Sequence, residues 1–237
     1  MTPLEALAIA LAGVAAGTIN TIVGSGSLVT FPTLLAFGFP PLVANVSNTV
    51  GLVPGSASGV VGYRRELTGQ RPRVLRLGAA ALLGSICGAA LLLALPPSTF
   101  SRVVPFLILF ASVLMALQPR LSAVVARHRP RGAERSRGLA VLVFLTAIYG
   151  GYFGAAQSVI FIALLAVFVQ DDLQRLNGLK NVLALIVNGV AALVFIAVGS
   201  IIGGQVGAVV GRRMSPLMLR SLVVVVGLLV SVRLLVG

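Results

Sequence analysis

The sequence predicts an all-α polytopic membrane protein, built from two related halves of opposite orientation whose helices are broken at Gly-rich motifs. Three observations predict it. Of the 237 residues, 58% are hydrophobic and only 10% are charged, against about 25% charged in an ordinary soluble domain; the mean hydropathy is +1.07. Several apolar runs exceed the roughly 18 residues that mark a membrane-span candidate, and the alternating short segments of a β-barrel are absent from the pattern. The 18 Lys and Arg outnumber 5 Asp and Glu, and they gather in short loops between apolar runs, which is the positive-inside arrangement.

A net charge of +13 in a soluble chain would suggest nucleic acid. Here it serves topology, and the aromatic platforms of a nucleic-acid binder are missing: there is no Trp and only three Tyr. The partners expected are the lipid bilayer and a small solute, with no nucleic acid; the pattern allows a homo-oligomer. The single cysteine, Cys87, lies in an apolar run. It excludes an internal disulfide and a zinc cluster and reads as a small hydrophobe. No basic n-region precedes the first apolar run, so a cleaved signal peptide is not expected.

The first run covers residues 4–23, and its end carries the most informative stretch, residues 17–32, GTINTIVGSGSLVTFP. Glycine weakens a helix and proline removes a donor. In lipid such a break is tolerated only where protein or a watery cavity satisfies the freed groups. The stretch reads as a broken segment facing the interior. Its rival reading is close helix packing through small residues. A short apolar piece, 28–37, follows, then a turn at Gly38-Phe39-Pro40-Pro41.

Residues 42–63 form a second long run that opens on Asn45, Ser47, Asn48 and Thr49. Residues 64–76 are a basic loop, placed in the cytoplasm. Residues 77–95 span again, 96–99 turn, and 103–117 return. The most polar stretch, 118–138, holds six arginines and His128, the only histidine, and reads as a solvated cytoplasmic linker. The expected organisation is therefore a first membrane repeat (1–118), a basic linker (119–138) and a second repeat (139–237).

In the second repeat, residues 139–148 are apolar, and 149–158 repeat the character of the opening stretch. Residues 159–169 lead to Gln170-Asp171-Asp172, a run from 182 to 210 follows, Arg212-Arg213 closes it, and 217–236 is the last span. Gly24-Ser25-Gly26-Ser27 answers Gly154-Ala155-Ala156-Gln157, Asn48 answers Asn181, and Gly84-Ser85-Ile86-Cys87-Gly88 answers Gly199-Ser200-Ile201-Ile202-Gly203. Asn48 lies 36 positions before Gly84, but Asn181 only 18 before Gly199. The second half is shorter by a partial span, through family length variation or through a deletion that impairs the protein. Either one long tilted helix or a re-entrant hairpin fills its run. Counting the pieces on either side of each break separately, the first half has five segments, and an odd count inverts the second half. A single broken span at each motif is the alternative.

These motifs, in this order, resemble the sulfite exporter TauE/SafE family of membrane transporters. Carrying the resemblance are Gly17-Thr18 through Gly24-Ser25-Gly26 to Pro32, Ala44 with Ser47-Asn48, Gly59 and Tyr63. In the second half they are Tyr149 to Ala155, Leu176-Asn177-Gly178-Leu179-Lys180-Asn181, and Gly199 to Gly204 with Gly207. The resemblance implies two related halves and movement of small anions, often sulfur-containing, such as sulfite or organosulfonates. The place implied is the bacterial cytoplasmic (inner) membrane.

A small oxyanion must shed water at mid-membrane. Backbone N–H groups at helix starts can replace that water, where the helix dipole also favours negative charge. Neutral side-chain donors add hydrogen bonds weak enough for release. The expected substrate-binding residues are Gly24, Ser25, Gly26, Ser47, Asn48, Gln157, Lys180 and Asn181. For Lys180 the competing reading is a side chain snorkelling to the cytoplasmic surface; for the asparagines it is capping or interhelical bonding; Tyr149 and Tyr152 read as interfacial or packing residues. No Walker-type loop appears, so no ATP and no other cofactor is expected, and no acidic residue lies deep in a span. An intramembrane enzyme would need a His, Cys or carboxylate constellation that the runs lack. A small-anion channel is the alternative to a carrier.

Overall fold

The structure is a computed structural model that describes residues 2–127 and 137–211. Among the described residues the chain is helical, with no strand: α1 (Pro3–Ile22), α2 (Ser27–Ala36), α3 (Pro41–Gly62), α4 (Arg71–Ala94), α5 (Pro97–Arg127), α6 (Arg137–Tyr152), α7 (Gln157–Phe168) and α8 (Leu173–Gly211). Among the described residues, four stretches are long and apolar enough to cross a membrane: Pro3–Ile22, Arg71–Ala94, Pro97–Leu117 and Leu173–Val198. α3 is as long, at 22 residues, but its polar face lowers its hydropathy. The chain divides into two compact units, residues 9–195 and residues 1–8 with 196–237. In the second unit the start of α1 is held by a capping box, with Thr2 N donating to Glu5 Oε2 at 2.8 Å and Glu5 N to Thr2 Oγ1 at 3.2 Å. Everything below concerns residues 9–195.

Both expected breaks are present, and each turns the chain back on itself. α1 stops at Ile22; Val23 N and Gly24 N both donate to Ile19 O, at 2.8 and 3.0 Å. Gly24 takes φ +98°, a value open to glycine. The returning chain lies on α1: a Cβ at Gly26 would sit 2.1 Å from Ala16 O. Thr30 and Leu34 of α2 share a cavity wall with Ile9 and Gly13 of α1. The second break repeats the start of the pattern but not its end, since the residue before α2, Gly26, is right-handed (φ −55°) and the one before α7, Ala156, is left-handed (φ +58°). Phe153 N and Gly154 N both donate to Tyr149 O, at 2.9 and 3.2 Å, and Gly154 takes φ +78°. α7 then packs back along α6, with Leu139, Val143, Phe161 and Leu165 in one buried cluster. The contacts thus favour hairpins over a straight-through broken span at each motif. The breaks are also narrower than expected: most of residues 17–32 and 149–158 is helical, Pro32 included.

Two buried clusters stack along the bundle. One gathers Phe31, Ala44, Leu92, Phe100, Phe153 and Phe195; the other gathers Leu77, Leu139, Leu165, Leu176, Leu179 and Leu183. α4, α6 and α8 each pass through both. The tips of the two hairpins touch where the clusters meet: a Cβ at Gly24 would lie 2.4 Å from Ser158 Cβ.

Several boundaries differ from expectation. α4 begins at Arg71, inside the expected 64–76 loop, because Pro72 suits a first helical turn. α5 begins inside the expected 96–99 turn and runs to Arg127, past residue 117. A fall in hydropathy does not by itself end a helix, since the backbone hydrogen bonds continue into the polar residues. The run after Lys180 lies within a single helix, Leu173–Gly211, of 39 residues, not in a re-entrant hairpin. His128, Arg212, Arg213 and the expected span 217–236 lie outside the described residues, as does the 128–136 part of the linker.

The loops beside α4 and α8 are locked together by charge. Asp171 pairs with Arg73, and with Arg175 Nε at 2.9 Å. Arg175 NH2 donates to Thr68 O at 3.0 Å, and Gln70 Nε2 to Arg175 O at 2.9 Å. Burial works against the charge on Asp171, but bonds from Arg73, the Asp172 amide and Arg175 outweigh it and hold the carboxyl below the usual range. A depressed folded-state pKa contributes stability above the unfolded value of about 3.9 and loses it as pH falls through the lower folded value. Asp171→Asn should therefore lower stability at pH 7 by about 1–2 kcal/mol. The difference from the parent should shrink towards zero near pH 2–3, which thermal unfolding in detergent at the two pH values would read.

Candidate functional site

The hairpin tips expose two helix starts. Among the described residues no side chain caps the start of α2 or of α7. Most of their first amides are already taken within the breaks: Leu28 N and Val29 N donate to Ser25 O and Gly26 O at 3.0 and 2.9 Å, and Gln157 N and Val159 N to Gly154 O and Ala156 O at 3.3 and 3.0 Å, which leaves Ser27 N and Ser158 N without a partner among the described residues. Around them lie Ser25, Ser27, Gln157 and Ser158, all buried. Gln157 Nε2 donates to Asn188 Oδ1 at 2.8 Å, and Asn188 Nδ2 to Ser56 Oγ at 3.4 Å. This carries a polar line from α7 through α8 to α3. The hydroxyl of Ser158 is buried without a hydrogen-bond partner among the described residues. A buried hydroxyl with no partner is destabilising, and beside two helix starts it suits an acceptor-rich solute.

Of the expected residues, Gly24 makes the tip contact, against Ser158 next to Gln157; Ser25 follows it in the break, and Gly26 lies against Ala16 and Asn20 of α1. Asn48 stands one turn away, accepting a hydrogen bond from Thr30 Oγ1, which also reaches Gly26 O at 3.5 Å. Ser47 is exposed and shares with Asn48 the wall of a cavity of about 170 Å³ between α1, α2 and α3. Lys180 and Asn181 sit elsewhere. Lys180 is fully buried, so it does not snorkel. Its Nζ donates to Asn20 O at 3.1 Å and Thr21 O at 3.0 Å, the carbonyl end of α1, where the helix dipole is negative. Asn181 Nδ2 and Asn177 Nδ2 also approach Thr21 O, each at 3.4 Å. A second cavity, of about 240 Å³, opens beside this cluster between Ile22, Val23, Tyr63, Gln174 and Asn177.

Tyr149 donates its hydroxyl to Ala155 O at 2.7 Å and packs its ring against Phe110 and Phe153. It braces the second break. Sequence reasoning passed over Asn20, Thr21, Ser158, Asn177 and Asn188 as site residues. Asn188 carried a usable signal: a lone amide inside an apolar run is expensive and needs a reason.

A family profile described as Sulfite exporter TauE/SafE matches residues 9–234. The chain belongs to that family. Relatives within reach of the TauE/SafE pattern carry transporter names. A "Probable membrane transporter protein ORF9" of Sinorhizobium sp is 28% identical over 59% of this chain and 52% of its own. A "Probable membrane transporter protein" of Haemophilus influenzae is 30% identical over 60% of this chain and 54% of its own. "Probable membrane transporter protein YfcA" of Escherichia coli K12 is 28% identical over 60% and 51%. The chain spans about half the length of the curated relatives it matches. No solved structure matches it significantly.

Proposed function

We propose that this TauE/SafE chain is a secondary transporter of small anions, sulfur-containing ones such as sulfite or an organosulfonate, in the bacterial cytoplasmic membrane, and not an enzyme. One observation carries the reading: two uncapped helix starts meet tip to tip around a buried, unpartnered hydroxyl. The amides of Ser27 and Ser158, with neutral side chains beside them, bind an oxyanion through donors already in place. Among the described residues no cation pairs with the tips, which suits fast release. Transporters build sites at mid-membrane from such broken helices, often in inverted halves. Here the halves are residues 1–118 and 139–237.

The test is flux in proteoliposomes holding the full chain, with sulfite, sulfate, organosulfonates and small carboxylates, with and without a pH gradient. Saturable flux of at least one anion is expected. Ser158→Ala and Asn48→Ala, checked for folding, should each reduce it by about tenfold, since a hydrogen bond to a charged group contributes about 1.5–3 kcal/mol. Asn181→Ala should have a smaller effect, because its amide faces α1. Unchanged flux in Ser158→Ala and Asn48→Ala removes the site. Flux that rises linearly without saturation makes the chain a channel.

A further inference from the structure

We infer that the two cavities are the opposite vestibules of one anion path, and that the last turn of α1, clasped by Lys180, is the barrier between them. The inference rests on the transport reading. α1 and α3 run side by side, and their contacts fall into three levels. At the first, Gly13 of α1 and Ser47, Asn48 and Leu52 of α3 wall the cavity of about 170 Å³. At the second, the helices close on each other: a Cβ at Gly55 would lie 3.6 Å from Gly17 Cα, and one at Gly59 3.1 Å from Thr21 Oγ1. At the third they part again, and Val23 and Tyr63 wall the cavity of about 240 Å³. Gly13 to Ile22 is about 14 Å along a helix, and Leu52 to Tyr63 about 16 Å. The two cavities are therefore separated by little more than the glycine-lined seam.

α8 fixes the other side of that seam. The ammonium of Lys180 binds the last carbonyls of α1, and Asn177 and Asn181 approach the same Thr21 oxygen. These donors stand in for the next turn that α1 lacks. They hold the helix end at the one level where it blocks the passage. Small residues at a helix contact let backbones approach closely, and with no interlocking side chains they leave the seam free to slide once the clasp loosens. Lys180 is thus a positioning residue for the barrier.

The experiment is side-specific labelling in membrane vesicles of both orientations, using the full chain with Cys87→Ala and one new cysteine, Ser47→Cys or Gln174→Cys. A membrane-impermeant thiol reagent is added to one side. With Lys180 present, the two cysteines should react from opposite sides only. With Lys180→Met, each should react from both sides, with its rate from the formerly closed side rising by about tenfold or more. Lys180→Arg, which keeps charge and donors, should restore one-sided labelling. If Lys180→Met does not fold, the Asn177→Ala, Asn181→Ala double variant is read instead, and a smaller rise from the closed side is expected. One-sided labelling that survives in the folded variant overturns the inference, as does reaction of both parent cysteines from the same side. Labelling does not depend on the solute. Sided labelling without anion flux refutes the transport reading alone, and flux with labelling insensitive to position 180 refutes the barrier alone.

Discussion

Gly24→Ala is expected to abolish anion flux and to lower stability by about 2–5 kcal/mol. Two independent penalties add. The residue sits at φ +98°, where an L side chain is strained. The new methyl would lie 2.4 Å from Ser158 Cβ and 3.0 Å from its carbonyl carbon, and since backbone lies behind the side chain, a rotamer change cannot relieve the overlap. The tips must separate, and with them the two helix starts proposed to hold the anion. Gly189→Ala is the control: it lies in the interior of α8 with nothing within 4 Å of the new atom, and alanine favours a helix over glycine by about 1 kcal/mol. Thermal unfolding in detergent and flux in proteoliposomes should both fall for the first variant, and neither for the second. A Gly24→Ala protein with parental flux would separate the tip contact from transport.

Much of the fold was legible because lipid makes the rules strict. Apolar length and misplaced glycines marked the long helices and the two interruptions, at 23–26 and 153–156, while the arginine-rich stretches expected as loops are partly helical, at 71–76 and 118–127. What a break does to the direction of the chain was not legible. Glycine at residues 24 and 154 permits a reversal without requiring it; the reversal is fixed by Gly26 against Ala16, and by Leu139 against the far end of α7. Lys180 shows the same limit. Its position near the start of α8 fitted a snorkelling side chain as well as a substrate ligand. Its carbonyl partners, Asn20 and Thr21, lie in a helix near the other end of the chain, and no local pattern encodes that pairing. α5 outran its apolar run for a related reason: hydropathy reports where lipid could be, and hydrogen bonding decides where a helix ends.

The glycines had two competing readings, packing and site, and at Gly84, Gly88 and Gly151 the structure shows close packing. Gly88→Ala addresses the packing group. A Cβ there would lie 2.1 Å from Ile148 O and 2.9 Å from Tyr152 N. Its neighbours on the same seam are as tight: Gly84 would meet Phe144 O at 2.3 Å, and Gly151 would meet Ser85 O at 2.4 Å. All of these obstacles include backbone, so α4 and α6 must move apart as rigid bodies. In lipid that loss is not offset by water-driven collapse, since dispersion and close approach are what hold the helices together. The expected destabilisation is about 2–4 kcal/mol, at the upper end for overpacking, read as a lowered unfolding temperature in detergent. Cys87→Ala, one residue away but exposed, should leave it unchanged. Flux should fall as well, although Gly88 is on another helix from the anion site. α6 runs directly into Phe153 and Gly154, so displacing its last turn displaces the second tip against Gly24. A Gly88→Ala protein that is less stable yet transports at the parental rate would mean that the tip is positioned by α7 and α8 alone.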